Sequence, residues 1–518
     1  RDDPDRDETN PYLGHYLIVT HENCLEYLGE FIEWKRKSGY KVDILIAAEP
    51  TNANTTWDQI RDRYNEYLNQ GTDPFDYLLI VGDLDNLERL DVDGQWMLIP
   101  PVGRSTWPLD NPHGDYYFGC LNGNNDQYAD VGIGRWPSGS VERLGIASGR
   151  TMLYEATPNM EDEEWFERAA SFSQHWGNGP TTAWHITIHT NVRWGEEVLK
   201  YCGYDDIRFF ERYQYDQMGQ VIGPWVRDIY NEGASVFLGR AENYFWRYNF
   251  NGVNENTRFP IRLVASGHGE WNAWNSFMGL PDGSAENLKG PVATTFGWGT
   301  PPTALWSAVW METVRNVMLQ DMSLGWGFSG AIMAVERYFP NENWANNRTN
   351  YYDCVRTDYN CYGDPGIQPW FGMPRRVEAT FPELITSETR MIEVNVTGQN
   401  DEPIQGALVS FYVPGDIPDF DNENYRDYDD MFMMTTISHE DGNAIFVFDE
   451  DIDFDGDEAF ITITGRDICP FFGDVGIERN ISSVELADYS LTEIDGNEND
   501  EINPGEVFNI SLTAVNLG

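Results

Sequence analysis

Ser266 and His268 form the pair of side chains whose types and spacing most directly suggest hydrolytic chemistry. They belong to the run SGHG, which follows the apolar run Ile261–Ala265. A serine hydroxyl becomes a nucleophile when a nearby base accepts its proton. Ser266 or Ser276 with His268 and an acid would therefore make a serine-type hydrolase. The alternative, which we favour, is a loop histidine flanked by turn glycines.

Oxygen-bearing side chains near the end of the chain follow the pattern of a calcium-binding loop. Asp495, Asn497, Asn499 and Glu506 occupy loop positions 1, 3, 5 and 12, as in EF-hand loops. Glu501 is a further acid between them. Position 6, usually Gly, is Asp500, and no flanking helices are predicted. The pattern predicts a calcium site, with a polar turn between strands as the alternative.

A second, weaker calcium pattern precedes it in the chain. Asp451, Asp453 and Asp455 alternate with apolar residues, but position 12 is Thr462 rather than an acid. The same alternation fits the edge of a strand that carries acids on its wet face. Calcium is the only cofactor that these residues predict.

The charge balance favours cations as partners. The chain has 518 residues, with 34 basic and 85 acidic side chains and a net charge of −51. An electrostatic field of this sign repels phosphate backbones, so the charge argues against nucleic-acid binding. No apolar run reaches the roughly 18 residues of a membrane-spanning helix. The chain does not begin with a start methionine and ends within a strand-like run, so we expect a trimmed protein that continues.

Six cysteines are too few for a disulfide scaffold in a chain of this length, and no CxxC pair suggests zinc. Cys354 and Cys361 are close enough in sequence to form a disulfide across a short loop, although closely spaced cysteines also occur unpaired. The acidic, Asn- and Trp-rich composition fits an extracellular protein better than a cytosolic one.

The elements that must position these residues alternate between strands and helices. After a charged arm at 1–11, apolar strands and amphipathic helices alternate over 12–155 and again over 156–375, which predicts parallel sheets covered on both faces. In the second unit the predicted strands include Trp184–Ile188, Ser235–Leu238 and Ile261–Ala265. Residues 376–477 read as an all-β sandwich, and 478–518 as the start of a further, incomplete β-domain.

Several stretches resemble the gingipain-type cysteine peptidases, in that family's order and spacing. They include DYLLIVGDLD, DYYFGCLNG and ADVGIGRWP in the first unit, and FPIRLVAS, KGPVATTFGWG and CYGDP in the second. The resemblance covers roughly residues 12–477. It implies a caspase-like α/β fold of two parallel-sheet subdomains, followed by an immunoglobulin-like β-sandwich, and it implies secretion to a bacterial cell surface.

The same resemblance places the family's catalytic His and Cys at the ends of two successive parallel strands. In this sequence Glu242 falls where the His should be and Ser266 where the Cys should be. No cysteine lies between Cys202 and Cys354, so a small shift of the alignment restores no thiol. A carboxylate is a poor substitute for imidazole near neutral pH. We therefore expect the peptidase site to be degenerate.

The function predicted is that of a secreted or surface-displayed protein that has lost peptidase activity. It would act as a structural or binding subunit, stabilised by calcium and binding to itself in a filament or layer, or to other surface proteins or glycans. The first alternative is an active endopeptidase of the cysteine or serine type. The second is a glycan-binding protein using a tryptophan cluster: Trp271, Trp274, Trp298, Trp306, Trp310 and Trp326.

Overall fold

The computed structural model describes residues 9–10, 12–48, 52–84, 91–92, 95–102, 114–123, 125–174, 183–212, 218–240, 253–254, 256–265, 288–297, 303–339, 351–386, 389–415, 431–448, 454, 456–478, 484–495 and 507–516. None of the helices within these ranges is long and apolar enough to cross a bilayer.

The strands of the α/β part are short, and those of its main sheet are mostly buried, as expected for a sheet covered on both faces. After β1 (Thr9–Asn10) they are β2 (Gly14–Thr20), β3 (Tyr40–Ile46), β4 (Tyr77–Val81), β5 (Asp91–Val92), β6 (Gln95–Trp96), β7 (Gly132–Trp136), β8 (Arg168–Gln174), β9 (Asp206–Arg212), β10 (Val236–Arg240), β11 (Ile261–Ala265), β12 (Ala293–Gly297) and β13 (Tyr359–Tyr362).

Helices lie between these strands and begin and end at residues suited to those positions. They are α1 (Gly29–Lys37), α2 (Ala53–Gln70), α3 (Val141–Glu155), α4 (Glu164–Glu167), α5 (Ala183–Tyr201), α6 (Met218–Glu232), α7 (Thr303–Val314), α8 (Leu324–Tyr338) and α9 (Tyr351–Asp358). The Asn52 side chain caps α2 by accepting from two backbone N–H groups, and the helix ends at Gly71, whose φ of 73° favours glycine. The Ser140 side chain caps α3 by accepting from the Arg143 N–H.

The strands of the two predicted units join into one ten-stranded sheet of order β3-β2-β4-β7-β13-β12-β11-β10-β8-β9. The first half-sheet consists of β2, β3, β4, β7 and β13, and the second half-sheet consists of β8–β12. Within each half-sheet, neighbouring strands are parallel. The two halves meet where β12 and β13 pair antiparallel. The carboxyl ends of their strands therefore lie at opposite edges of the sheet.

The prediction of a strand at Trp184–Ile188 is wrong, because these residues belong to helix α5. Ile188, Val192 and Leu199 of this helix are buried, at spacings that bring them to one side of it. A short apolar run that includes β-branched residues has the same composition in a buried helix as in a strand. Here the run continues directly into the predicted helix.

A buried ionic network connects the segment that follows β13 to β2, α1 and α3 of the first half-sheet. Lys35 Nζ of α1 lies 2.5 Å from Asp364 Oδ2 and 2.7 Å from Glu155 Oε2. Tyr16 donates its hydroxyl hydrogen to the other Asp364 oxygen at 2.9 Å, and the Trp34 indole donates to Glu155 at 3.0 Å. Burial alone would lower the pKa of Lys35, but the two carboxylates raise it above its usual range. The ammonium group therefore stays charged in the core.

Two glycines of β7 allow other segments to approach its backbone closely. A Cβ atom on Gly132 would lie 2.9 Å from the backbone nitrogen of Trp326, at the start of α8. A Cβ atom on Gly134 would overlap the carbonyl oxygen of Gly363. The GIG run of the sequence therefore makes room for the start of α8 and for the chain that follows β13.

Residues after 376 form β-strands, as predicted. They are β14 (Val377–Thr380), β15 (Leu384–Thr386), β16 (Met391–Gly398), β17 (Leu408–Val413), β18 (Phe432–Ile437), β19 (Asn443–Val447), β20 (Glu458–Thr464), β21 (Phe471–Glu478), β22 (Val484–Asp495) and β23 (Val507–Asn516). The sheets β14-β16-β19 and β1-β18-β17-β20-β21-β15 share one apolar core, whereas β22 and β23 form a separate antiparallel hairpin. The immunoglobulin-like topology itself stays a prediction.

The α/β part packs directly against this β-part. Strand β1, inside the predicted arm 1–11, pairs with β18 at the edge of the larger sheet. The Trp34 and Phe472 ring centroids lie 5.8 Å apart. The Phe371 N–H donates to Asp467 Oδ1 at 2.8 Å, and Asp467 has a φ of 51°, which Asp tolerates better than most residues.

The predicted Cys354–Cys361 disulfide is wrong, because Cys361 is a free thiol. Its side chain belongs to the large apolar cluster on one face of the ten-stranded sheet and is 2% exposed. Strand β13 pairs on both sides, so Cys361 is held in the centre of the sheet rather than in a loop. Burial raises its pKa well above the usual value for a thiol.

Candidate functional site

The predicted catalytic positions follow two adjacent parallel strands. Strands β10 and β11 pair in register, with Arg240 opposite Ala265 at their carboxyl ends. Ser266 comes directly after β11, and Glu242 comes two residues after β10. The chain therefore leaves both strands at one edge of the second half-sheet, where open α/β sheets bind ligands. Glu242, Ser266 and His268 themselves lie outside the described residues.

Arg240, which the sequence prediction did not single out, holds the two strand ends together. Its side chain is 4% exposed, and it donates a hydrogen bond of 2.7 Å to the carbonyl oxygen of Ala265. It also donates to the Thr303 carbonyl and to the Ser307 hydroxyl in the first turns of α7, each at 3.3 Å. A permanent positive charge is thus buried at this edge, bonded to Ala265, the residue that precedes the expected nucleophile position 266. The signal in the sequence was an arginine ending a strand that is otherwise wholly apolar.

The pairing of β11 with its other neighbour, β12, ends before the same strand end. The register of β11 with β12 stops at Leu263 opposite Thr295. The next residue, Val264, bonds instead to the Thr295 hydroxyl, which accepts from its N–H at 3.1 Å and donates to its carbonyl at 3.2 Å. The Thr295 side chain therefore bonds to both backbone groups of Val264 where the β11–β12 register ends.

The tryptophan cluster is in part a packing feature. Trp306 and Trp310 of α7 are 3% and 0% exposed, and the Trp310 indole donates to the Leu263 carbonyl at 3.0 Å. Trp326 is partly buried against the apolar core of the other face. The glycan-binding role predicted for Trp306 and Trp310 is therefore wrong, because a sugar ring needs an exposed indole. Trp271, Trp274 and Trp298 lie outside the described residues.

Four of the described cysteines carry thiols that do not have the character of nucleophiles. Burial raises the pKa of Cys24, Cys361 and Cys469, and it raises the pKa of Cys202 to about 11. Reactive cysteines need the opposite shift, because the thiolate is the attacking species. The side chain of Cys354 is outside the described residues.

The predicted calcium loops fall at strand ends. Asp495 is the last residue of β22, and Asn497, Asn499, Glu501 and Glu506 lie in the 496–506 segment that joins it to β23, outside the described residues. Asp451, Asp453 and Asp455 are also outside them. Within the ranges that the structure covers, no group of three or more His, Cys, Asp or Glu is placed to hold a metal ion.

Comparison with solved structures shows the same fold in gingipains. A complex of the pro- and mature domains of RgpB from Porphyromonas gingivalis matches with a TM-score of 0.67 and 18% identity, over 90% of this chain and 100% of that chain. The crystal structure of the Arg-specific cysteine proteinase gingipain R matches with a TM-score of 0.66 and 18% identity, over 90% and 98%. The predicted caspase-like, gingipain-type α/β fold is therefore confirmed.

Comparison of sequences leads to the same family. Gingipain R2 of Porphyromonas gingivalis is 22% identical over 483 residues, which cover 87% of this chain and 55% of that protein. Gingipain R1 of the same organism is 26% identical over 187 residues, 35% of this chain and 16% of that protein. The chain spans about half the length of Gingipain R2. Residues 10–296 match the model of peptidase family C25, more than half of the chain, and the chain therefore belongs to this family of gingipain-type cysteine peptidases.

Proposed function

We propose that this chain is an extracellular member of family C25 that no longer cleaves peptides and acts as a structural or binding subunit. The observation that carries the proposal is the composition of the two strand ends. Arg240 donates to the Ala265 carbonyl, and the sequence continues to Glu242 and Ser266 where the family's His and Cys are expected.

The chemistry of these residues argues against thiol-type catalysis. A serine hydroxyl has a much higher pKa than a thiol and needs a close base of suitable strength. A guanidinium disfavours the protonated form of any neighbouring base, so an imidazolium intermediate beside Arg240 would be destabilised. The cysteines whose thiols have raised pKa values do not supply an alternative nucleophile.

Peptide cleavage tests the loss of activity. We would incubate the chain, with calcium, with a diverse peptide mixture and identify the products by mass spectrometry. Ser266→Ala and His268→Ala remove the proposed serine-type pair, and Ser284→Ala is the matched control. The proposal predicts the same product pattern for all four proteins and for buffer. Cleavage that is lost in Ser266→Ala and His268→Ala but kept in Ser284→Ala would establish a serine-type hydrolase instead.

Self-association stabilised by calcium is the specific form of subunit role that we propose. It is supported by the net charge of −51, because divalent cations bridge acidic surfaces, and by the acidic segment between β22 and β23. Light scattering with calcium and with chelator would test it, using Glu506→Gln as the variant. We expect particles larger than a monomer only with calcium, and a smaller response in the variant. A monomer at high concentration in both conditions contradicts self-association.

A further inference from the structure

Strand β9 forms one end of the ten-stranded sheet, and among the described residues its outer edge is open. Within that part of the chain, β9 pairs with β8 alone, in parallel and over all seven of its residues. The side chains of Asp206 and Arg208 are 37% and 44% exposed. At the other end of the sheet, in contrast, residues 42–45 of β3 are all buried. An open edge of this length presents backbone N–H and C=O groups that can pair with a further strand.

Helices cover both faces of β9 and hold its edge in place. On one face, the Arg193 guanidinium of α5 lies 3.7 Å from the centroid of the Phe209 ring. The same guanidinium pairs with Glu196 at 2.8 Å, so its positive charge is already matched. On the other face, the ring centroids of Phe210 and of Trp225 in α6 lie 5.4 Å apart. The edge is therefore ordered before any partner binds, which reduces the entropy lost on association.

The charges of β9 are balanced, unlike those of the chain as a whole. The strand has two acidic residues, Asp206 and Glu211, and two basic residues, Arg208 and Arg212. The net charge of the whole chain is −51. Two copies of so acidic a chain repel each other over most of their surfaces. A contact made through a segment without net charge adds least to this repulsion.

The sequence of β9 favours one register when the strand pairs antiparallel with itself. About a two-fold axis perpendicular to the sheet, residues on the same face lie opposite each other, so one residue lies opposite its own copy on the axis. With Phe209 on the axis, Asp206 of each copy lies opposite Arg212 of the other, and this pair of opposite charges occurs twice. With Arg208 on the axis, two arginines lie opposite each other. With Phe210 on the axis, Arg208 lies opposite Arg212. Like charges directly opposite destabilise a strand pair, which leaves the register about Phe209.

We propose that two copies of this chain associate through the open edge of β9, paired antiparallel about Phe209. This inference rests on the self-association proposed above: calcium reduces the repulsion between the acidic copies, and β9 supplies the surface that joins them. The two ten-stranded sheets would become one continuous sheet. A two-fold contact closes on itself, so this edge produces dimers, and a larger assembly needs a second contact.

Cysteine cross-linking tests the register of the contact. In the proposed pair, the two copies of residue 209 lie directly opposite each other, within reach of a disulfide. Two copies of residue 208 lie on a diagonal, too far apart for that bond, so Arg208→Cys is the matched control. We would oxidise both variants and the native chain, with calcium and with chelator, and measure covalent dimer by non-reducing electrophoresis. With calcium, we expect several-fold more covalent dimer from Phe209→Cys than from Arg208→Cys or the native chain.

A charge reversal tests the same contact without a new thiol. Arg212→Glu places a carboxylate opposite Asp206 at both ends of the pair. Arg376→Glu, at an exposed position just before β14, makes the same change of charge in the β-part and is the control. By sedimentation with calcium, we expect the dimer dissociation constant to rise about tenfold or more in Arg212→Glu. The control should match the native chain.

The outcomes separate this contact from self-association in general. A native chain that stays monomeric with calcium contradicts self-association itself, and the β9 contact with it. If the native chain associates, equal cross-linking of the two cysteine variants, or none in Phe209→Cys, overturns the β9 contact alone. An unchanged dissociation constant in Arg212→Glu does the same, and this comparison decides the question if Phe209→Cys does not fold.

Discussion

Acidification is expected to destabilise the first half-sheet through a single buried imidazole. His15 of β2 is 0% exposed, and its ring lies edge-on to the Tyr67 ring of α2 at a centroid distance of 4.9 Å. Burial, assisted by the nearby charge of Lys41 and opposed by that of Asp43, lowers the pKa of His15 to about 3. The folded chain therefore keeps this ring neutral at pH values at which the unfolded chain protonates it.

The size of the effect follows from the two pKa values. The unfolded ring has a pKa of about 6.5 and binds a proton first as the pH falls, so stability decreases with falling pH between about 6.5 and 3. The full difference corresponds to about 5 kcal/mol, at roughly 1.4 kcal/mol per pKa unit. Between pH 7 and pH 5 the loss is about 2 kcal/mol, a factor of about 25 in the folding equilibrium constant. Above pH 7 this group contributes no pH dependence.

The assay is urea unfolding at pH 7, 6 and 5 for the native chain and for His15→Phe, which keeps an aromatic ring in the same packing. His439→Gln, at an exposed turn, is the matched control. His15→Phe is expected to lose about 2 kcal/mol less than the native chain between pH 7 and pH 5, whatever its stability at pH 7. The control should follow the native chain. Equal pH dependence in the native chain and His15→Phe would refute the assignment of a buried neutral imidazole.

Three further substitutions test how the first half-sheet and the site edge are stabilised. Lys35→Met leaves two buried carboxylates without their cation and should cost about 3–5 kcal/mol in urea unfolding, whereas Lys200→Met, at an exposed helix position, should cause no measurable change. Gly134→Ala places a methyl group against backbone that cannot move and should prevent soluble expression, whereas Gly145→Ala in α3 meets nothing within 4 Å and should stabilise by about 1 kcal/mol. Thr295→Val removes the hydroxyl that bonds to β11 and should lower the free energy of unfolding by about 1–3 kcal/mol, again measured by urea unfolding. An unchanged urea midpoint in Lys35→Met or Thr295→Val would contradict the roles given to these side chains.

Apolar runs predicted the strands of this fold well where a strand is buried on both faces. Tyr77–Val81 is a run of five apolar residues before Gly82, and it forms β4 with every side chain buried. The same reasoning failed at Trp184–Ile188, because a short apolar run lacks the periodicity that separates a buried strand from the first turns of a helix. The joining of two units into one sheet was also not predictable, because it depends on the strand β13, which pairs with partners far away in sequence.

The candidate site could be located from the sequence but its charges could not. The register of β10 with β11 brings the ends of the two predicted strands to one edge, as the resemblance implied. Arg240 was overlooked because a charged residue at the end of a strand is normally solvated, and only tertiary packing shows that it bonds to the Ala265 carbonyl.

The central claim, that this family member has no working nucleophile, is tested most directly by covalent labelling. We would treat the native chain with a fluorophosphonate and with a thiol-directed peptidyl chloromethyl ketone, and measure intact mass and labelled peptides. The account predicts that neither reagent forms an adduct on the folded chain in excess of background. The background is the amount of adduct on chain that was first denatured by pH and then refolded without calcium. A stoichiometric adduct at Ser266 that disappears in His268→Ala, or one at any cysteine of the folded chain, would contradict it.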